Sequence, residues 1–160
     1  MGPLEIWKGT DEQGEPGNWV VFEPGAEPVF VLPRRWVGVD LDGTLARDDA
    51  PGHFEPPYPL GEPIPEMIAL IQSLLEAGLT VKIFTARACE PESIPIIQAW
   101  AEKHGLGRLE VTNVKDYNLI RFYDDRAIQM APNSGKSVGH IARTNHAESA
   151  KSIPVPVTLR

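Results

Sequence analysis

Four carboxylates, one hydroxyl and one ammonium stand behind four apolar runs of this chain. Asp40 and Asp42 close the run that begins Trp36-Val37-Gly38-Val39. Thr85 follows residues 79–84, Lys115 sits in the loop after 109–112, and Asp124 and Asp125 follow 119–123. Acids this numerous do not share one place unneutralised, because close like charges drive carboxyl pKa values sharply upward. A hard divalent cation resolves the conflict, and Mg²⁺ suits a site of few carboxylates, water and phosphate oxygens. Beside such a cation one carboxylate can attack phosphorus and form an aspartyl-phosphate. A second acid can protonate the leaving oxygen and then take a proton from the water that hydrolyses the intermediate. A threonine hydroxyl and a lysine ammonium would hold the phosphoryl oxygens as their charge shifts in the transition state.

The elements that must position these groups alternate between strand and helix. The run from Trp36 is apolar and rich in β-branched residues, so it reads as a buried strand. Asp42-Gly43 is also a common turn pair, and a strand-end turn is the plain alternative for that stretch alone. A helix follows, with Pro65 in its first turn, Met67, Ile68, Ile71, Leu74 and Leu75 at helical spacing, and Gly78 as its stop. A strand over 79–84 leads to a second helix opened by Ser93 and Pro95, with Ile94, Ile97, Trp100 and Ala101 on its buried side. His104 fits there as a cation at a helix C-terminus. Two more strands, 109–112 and 119–123, are separated by too few residues for a helix, so a loop or single turn is expected between them. This order implies βαβ units and an open parallel sheet with flanking helices, a Rossmann-like α/β fold. In such sheets ligands bind beyond the carboxyl ends of the strands, which is where the polar groups fall.

The flanks are irregular. Residues 1–35 form an N-terminal extension in which Glu15-Pro16-Gly17 and Glu23-Pro24-Gly25 punctuate the apolar runs 19–22 and 29–32, a pattern for a small hairpin or edge strands. Residues 36–131 would be the catalytic core and 132–160 a C-terminal tail, with 153–157 extended. The proline-rich loop 46–60 lies directly over the acidic strand end, and His53, Phe54 and Tyr58 are expected to pack it down. Residues 132–137, Pro-Asn-Ser-Gly-Lys-Ser, lack the glycine spacing of a phosphate-binding loop, and that reading is rejected. A hydrophobic fraction of 42% with 23% charged residues marks a globular chain. No run is long enough for a membrane span, no signal peptide is evident, and the lone Cys89 fits a reducing cytoplasm. The net charge of −7 disfavours nonspecific nucleic-acid binding.

Asp40-Leu41-Asp42-Gly43-Thr44, Thr85 after an apolar strand, Lys115 and Asp124-Asp125 resemble, in order, the four motifs of the haloacid dehalogenase (HAD) phosphohydrolase superfamily. The resemblance covers residues 36–131. The wording of 111–115 and 123–127 is similar to that of small bacterial and phage members. The resemblance implies Asp40 as nucleophile and Mg²⁺ ligand, and Asp42 as acid/base and metal ligand through its backbone carbonyl. It further implies Thr85 and Lys115 as phosphate holders and Asp124 as a metal ligand. Asp125 would contact the metal through water or orient Lys115, and Gly43, Thr44, Ala86 and Arg87 would lie against the substrate. In typical members a helix separates the lysine from the last acids, whereas here Lys115 lies close to Asp124.

An acid at the place of Asp42 points to phosphatases or phosphomutases. Neither 46–60 nor 86–114 has room for a cap domain, so a capless phosphatase is preferred, Mg²⁺-dependent and acting most readily on a phosphorylated small molecule. A phosphatase of nucleic-acid 3′ or 5′ ends and a non-catalytic HAD-fold interaction module are the alternatives. An open site admits a large substrate, or a neighbouring subunit of a homo-oligomer can cover it. Residues 1–30 or the loop 46–60 would then serve as a partial lid, and deleting 1–30 is expected to alter kinetics without unfolding the core. Arg87 either meets a second anionic group of the substrate or forms an ion pair with the acids. Arg126 is read as an ion-pair residue, and Cys89 as structural because no activating base accompanies it.

Overall fold

Val37 and Val39 alternate with Trp36 and Gly38 along β4 (Trp36–Val39), and all four are buried. A strand buried on both faces belongs in the middle of a sheet. In the computed structural model, which describes residues 4–53 and 55–139, that is where it lies. β4 pairs in parallel with β5 (Thr80–Phe84) on one side and β7 (Leu119–Tyr123) on the other. β6 (Glu110–Thr112) adds to β5, giving the parallel order β6-β5-β4-β7. The chain is thus of the α/β class.

The two helices form where apolar spacing and punctuation place them. α1 (Pro65–Glu76) starts on Pro65, whose missing N–H costs nothing in the first turn, and is followed by Gly78 at φ +85°. α2 (Ser93–Lys103) ends at His104, whose ring lies 4.7 Å from that of Trp100. Ile71 and Leu74 of α1 and Ile97 and Ala101 of α2 join Val37, Val39, Val81, Ile83 and Val111 in one buried cluster. Trp36, Phe84 and Phe122 occupy the other face. Phe84 stands edge-on to Phe122 at 4.9 Å, and Lys82 Nζ lies 4.8 Å from the Trp36 ring. Gly38 belongs to this face because a Cβ there would come within 2.9 Å of the Phe122 ring.

The extension is a three-stranded antiparallel sheet, β1-β2-β3 (Glu5–Thr10, Pro16–Val21, Val29–Val31). Its first strand is absent from the sequence reading. β1 is an edge strand, mostly exposed, so it carries little of the apolar alternation that marks a strand. The sheet is not a detachable lid. Val20, Phe22 and Val31 are buried in the same cluster as β4 and β5. Deleting residues 1–30 removes Val20 and Phe22 from that core, a loss of roughly 3–6 kcal/mol at 1.5–3 kcal/mol per buried side chain. That is a large part of a domain's net stability. The truncated chain is expected to melt roughly 10 °C lower, contrary to the expectation of an intact core, and a thermal scan reads this directly.

Residues from Arg126 onward form a second unit. In its described part Met130 bridges Ser137, and the Ala131 N–H donates to Lys136 O (2.8 Å). Asn133 takes φ +59° at the tip. Residues 132–137 are therefore a tight turn, as unlike a phosphate loop as their spacing indicates. The extended segment expected at 153–157 lies outside the described residues, as does Phe54. Among the described residues no helix is long and apolar enough to cross a membrane.

Candidate active site

Asp40 is the first residue beyond β4. Its N–H donates to the Tyr123 carbonyl at the end of β7 (2.8 Å), which locks the two strand ends together. Asp124 and Asp125, next along the chain, are thereby brought beside it. Asp40, Asp124 and Asp125, all half-buried, each offer a carboxylate oxygen within 4.8 Å of the other two. Burial pushes the Asp40 carboxyl up to about 7, helped by a hydrogen bond with the Asp125 carboxyl and by the charges of Asp124 and Asp125. Three acids so placed offer only hard oxygen donors, close enough together for side-chain adjustment to bring them onto one small cation. The donor set fits Mg²⁺.

The turn after β4 is built to hold Asp125 in place. The Leu41 carbonyl accepts from the N–H groups of Thr44, Leu45 (3.0 Å) and Ala46 (2.8 Å), and Leu41, Leu45 and Ala46 are wholly buried. Thr44 Oγ1 donates to Asp125 Oδ1 (3.1 Å) and accepts from the Asp125 N–H (3.0 Å). Gly43 sits at φ +88°, and a Cβ there would meet Asp125 Oδ2 at 2.6 Å and Asp48 Oδ2 at 3.0 Å. Gly43 and Thr44 thus shape the acidic cluster, where the sequence placed them against substrate.

Asp42 does not join the three acids through its side chain. Its carboxylate is gripped side-on by Arg87, with Nε to Oδ2 at 2.7 Å and Nη2 to Oδ1 at 2.9 Å. His53 Nε2 lies 3.0 Å from Oδ1. Of the two readings of Arg87, the ion pair is the one formed. Nη1 also donates to the Tyr58 carbonyl and Nη2 to that of Pro59 (3.4 Å). Ala86 opens the single 3₁₀ turn Ala86–Cys89 that carries Arg87. Thr85, 2% exposed, caps this turn, its Oγ1 accepting from the Arg87 N–H (3.2 Å). Among the described residues its hydroxyl proton has no acceptor.

Lys115 lies in the connection between β6 and β7. It is exposed and makes no hydrogen bond or ion pair among the described residues. The connection from β6 to β7 is fastened at Asp116, whose Oδ1 accepts from the Trp36 indole (2.8 Å) and the Asn118 N–H (2.8 Å). Trp36 begins β4, whereas Asp40 follows its end. Cys89 is exposed rather than part of the core. Arg126 falls in the second unit.

His53, expected to pack the loop down, is 2% exposed and faces Asp42. Asp48 escaped the sequence reading and is buried with its carboxylate toward Gly43. Tyr58, expected to pack inward, is instead 45% exposed. The loop is closed at its base. The Arg47 N–H donates to the Glu62 carbonyl (2.8 Å), and the Trp100 indole donates to that of Gly61 (3.1 Å). A Cβ on Gly61 would lie 1.8 Å from the Arg47 carbonyl oxygen, backbone against backbone. Gly61→Ala is expected to destabilise the chain by roughly 1–3 kcal/mol, as overpacking does, and urea unfolding measures it. No protein-family model, no curated protein and no solved structure matches this chain.

Proposed function

We propose that this chain is a Mg²⁺-dependent phosphomonoesterase of the HAD type that works through an aspartyl-phosphate on Asp40. One observation carries the reading. Asp40, Asp124 and Asp125 converge at the carboxyl edge of a parallel sheet, where burial first and the two neighbouring acids second push the Asp40 carboxyl up to about 7. A structural turn has no use for that arrangement, and a phosphoryl-transfer site does. Asp40, Asp124 and Asp125 would hold Mg²⁺. When bound, the ion supplies positive charge that keeps Asp40 ionised and offsets the charge of the substrate phosphate.

Asp40 then attacks phosphorus with a carboxylate oxygen, and the bond to the leaving alkoxide or phenoxide breaks. Asp42 gives that oxygen its proton. It next takes a proton from water, whose oxygen attacks the phosphorus of the aspartyl-phosphate and frees inorganic phosphate and Asp40. The Thr85 hydroxyl would donate to a phosphoryl oxygen. The position of Lys115 gives no support to the phosphate-holding role that the resemblance implies. A panel of p-nitrophenyl phosphate, nucleotides, sugar phosphates and phosphorylated oligonucleotides, assayed with Mg²⁺, tests the reading. Turnover by the wild type but not by Asp40→Asn is expected. Equal residual activity of the two on every substrate would overturn it.

A further inference from the structure

Arg87 and His53 have no part in the chemistry above, yet between them they take up most of the Asp42 carboxylate. We propose that they are positioning residues that fix Asp42 for proton transfer and tie its orientation to the loop 46–60. The proposal rests on the phosphomonoesterase reading for its kinetic part only.

A carboxylate has about four acceptor positions. On Oδ1 one is taken by Arg87 Nη2 and one by His53 Nε2. On Oδ2 Arg87 Nε takes one. The position left lies on Oδ2, so that oxygen is the one that exchanges a proton with substrate and water. The side-on fork fixes the plane of the carboxylate as a single hydrogen bond would not. Arg87 is committed as well. Of its five N–H groups, two go to Asp42, one to the Tyr58 carbonyl and one to that of Pro59. It has too few left to clamp a second anionic group of the substrate.

The other side of the clamp is the loop. His53 is buried beneath it, and Tyr58 holds φ +52°, an uncommon backbone state for a non-glycine residue, with its carbonyl on Arg87. One guanidinium therefore couples the acid/base residue to two loop carbonyls, and one imidazole couples it to the loop's buried side. The loop acts on the chemistry by holding Asp42 rather than by merely covering it.

Two sets of measurements test this on the full chain. Turnover of p-nitrophenyl phosphate with Mg²⁺ is compared for wild type, His53→Gln, His53→Leu and Arg87→Lys. His53→Leu and Arg87→Lys are expected to lose kcat by ~10- to 100-fold with KM little changed, as small misplacements of a catalytic group do. His53→Gln, which keeps a nitrogen donor near the place of Nε2, should recover most of kcat. Limited digestion with proteinase K, with cuts mapped by mass spectrometry, follows the loop without reference to activity. Asp42→Asn and Arg87→Lys should raise cutting within 46–60 at least fivefold while leaving cuts elsewhere unchanged. Loop cutting equal to wild type in both variants would overturn the clamp, and so would a His53→Gln as impaired as His53→Leu. Absence of turnover in the wild type would instead overturn the phosphomonoesterase reading, with digestion still deciding the coupling.

Discussion

Asp40→Asn is expected to lower kcat/KM for p-nitrophenyl phosphate by at least ~10³-fold, about 4 kcal/mol of transition-state stabilisation. The amide keeps the shape of the carboxylate and removes the charge that the proposed attack on phosphorus needs, so chemistry should be lost while geometry is kept. Folding should not suffer. In the wild type without metal, the Asp40 carboxyl reaches about 7 because burial and the neighbouring Asp124 and Asp125 oppose its charge. Asparagine carries no charge to oppose. Without Mg²⁺ at pH 8 the variant should therefore melt at or above the wild-type temperature. An inactive variant that also unfolds would speak for a structural role of Asp40 instead.

Removing Mg²⁺ with a chelator should abolish turnover to a similar extent, and the same carboxyl gives that loss a pH signature in stability. Its ordinary value is 3.8, and in the folded, metal-free chain it is about 7. Between those values the folded state binds a proton that the unfolded state has released. The contribution is present in full below about pH 4 and declines as pH rises, until it is gone above about pH 7. This runs opposite to the usual carboxylate. Because Asp40 is only half-buried, solvent screening reduces the effect to roughly 1–2 kcal/mol. Added Mg²⁺ relieves the repulsion among ionised acids at pH 8, but at pH 5.5 it must first displace the proton. The rise in Tm on adding Mg²⁺ should therefore be about 3–6 °C at pH 8 and smaller at pH 5.5. A larger rise at pH 5.5 would contradict the assignment of Asp40 to the cation.

The parallel sheet was legible because β4, β5 and β7 are short apolar runs bounded by polar groups, and the spacing of Ile71, Leu74, Ile97 and Ala101 marks the helices between them. The convergence of Asp40, Asp124 and Asp125 was legible for the same reason, since parallel strands deliver their ends to one edge. The rest depends on contacts far apart in sequence. His53 was expected to turn inward, but nothing local tells that it meets Asp42 and an arginine more than thirty residues away, or that Tyr58 turns out. Nothing local tells that Asp116 fastens to the Trp36 indole, eighty residues away. β1 was missed because an exposed edge strand pairs through its backbone and leaves little pattern in its side chains.

The central claim is that Asp40 is the atom donor to phosphorus, and trapping the intermediate tests it most directly. Enzyme, Mg²⁺ and p-nitrophenyl phosphate are mixed, quenched in the steady state and treated with borohydride, which reduces an acyl phosphate to the alcohol and so turns an aspartyl-phosphate into homoserine. Peptide mapping is then expected to find homoserine at position 40 and at no other acid, and none when Mg²⁺ or substrate is left out. Homoserine at Asp42, Asp124 or Asp125, or an unmodified Asp40 in an enzyme that is turning over, would contradict the account.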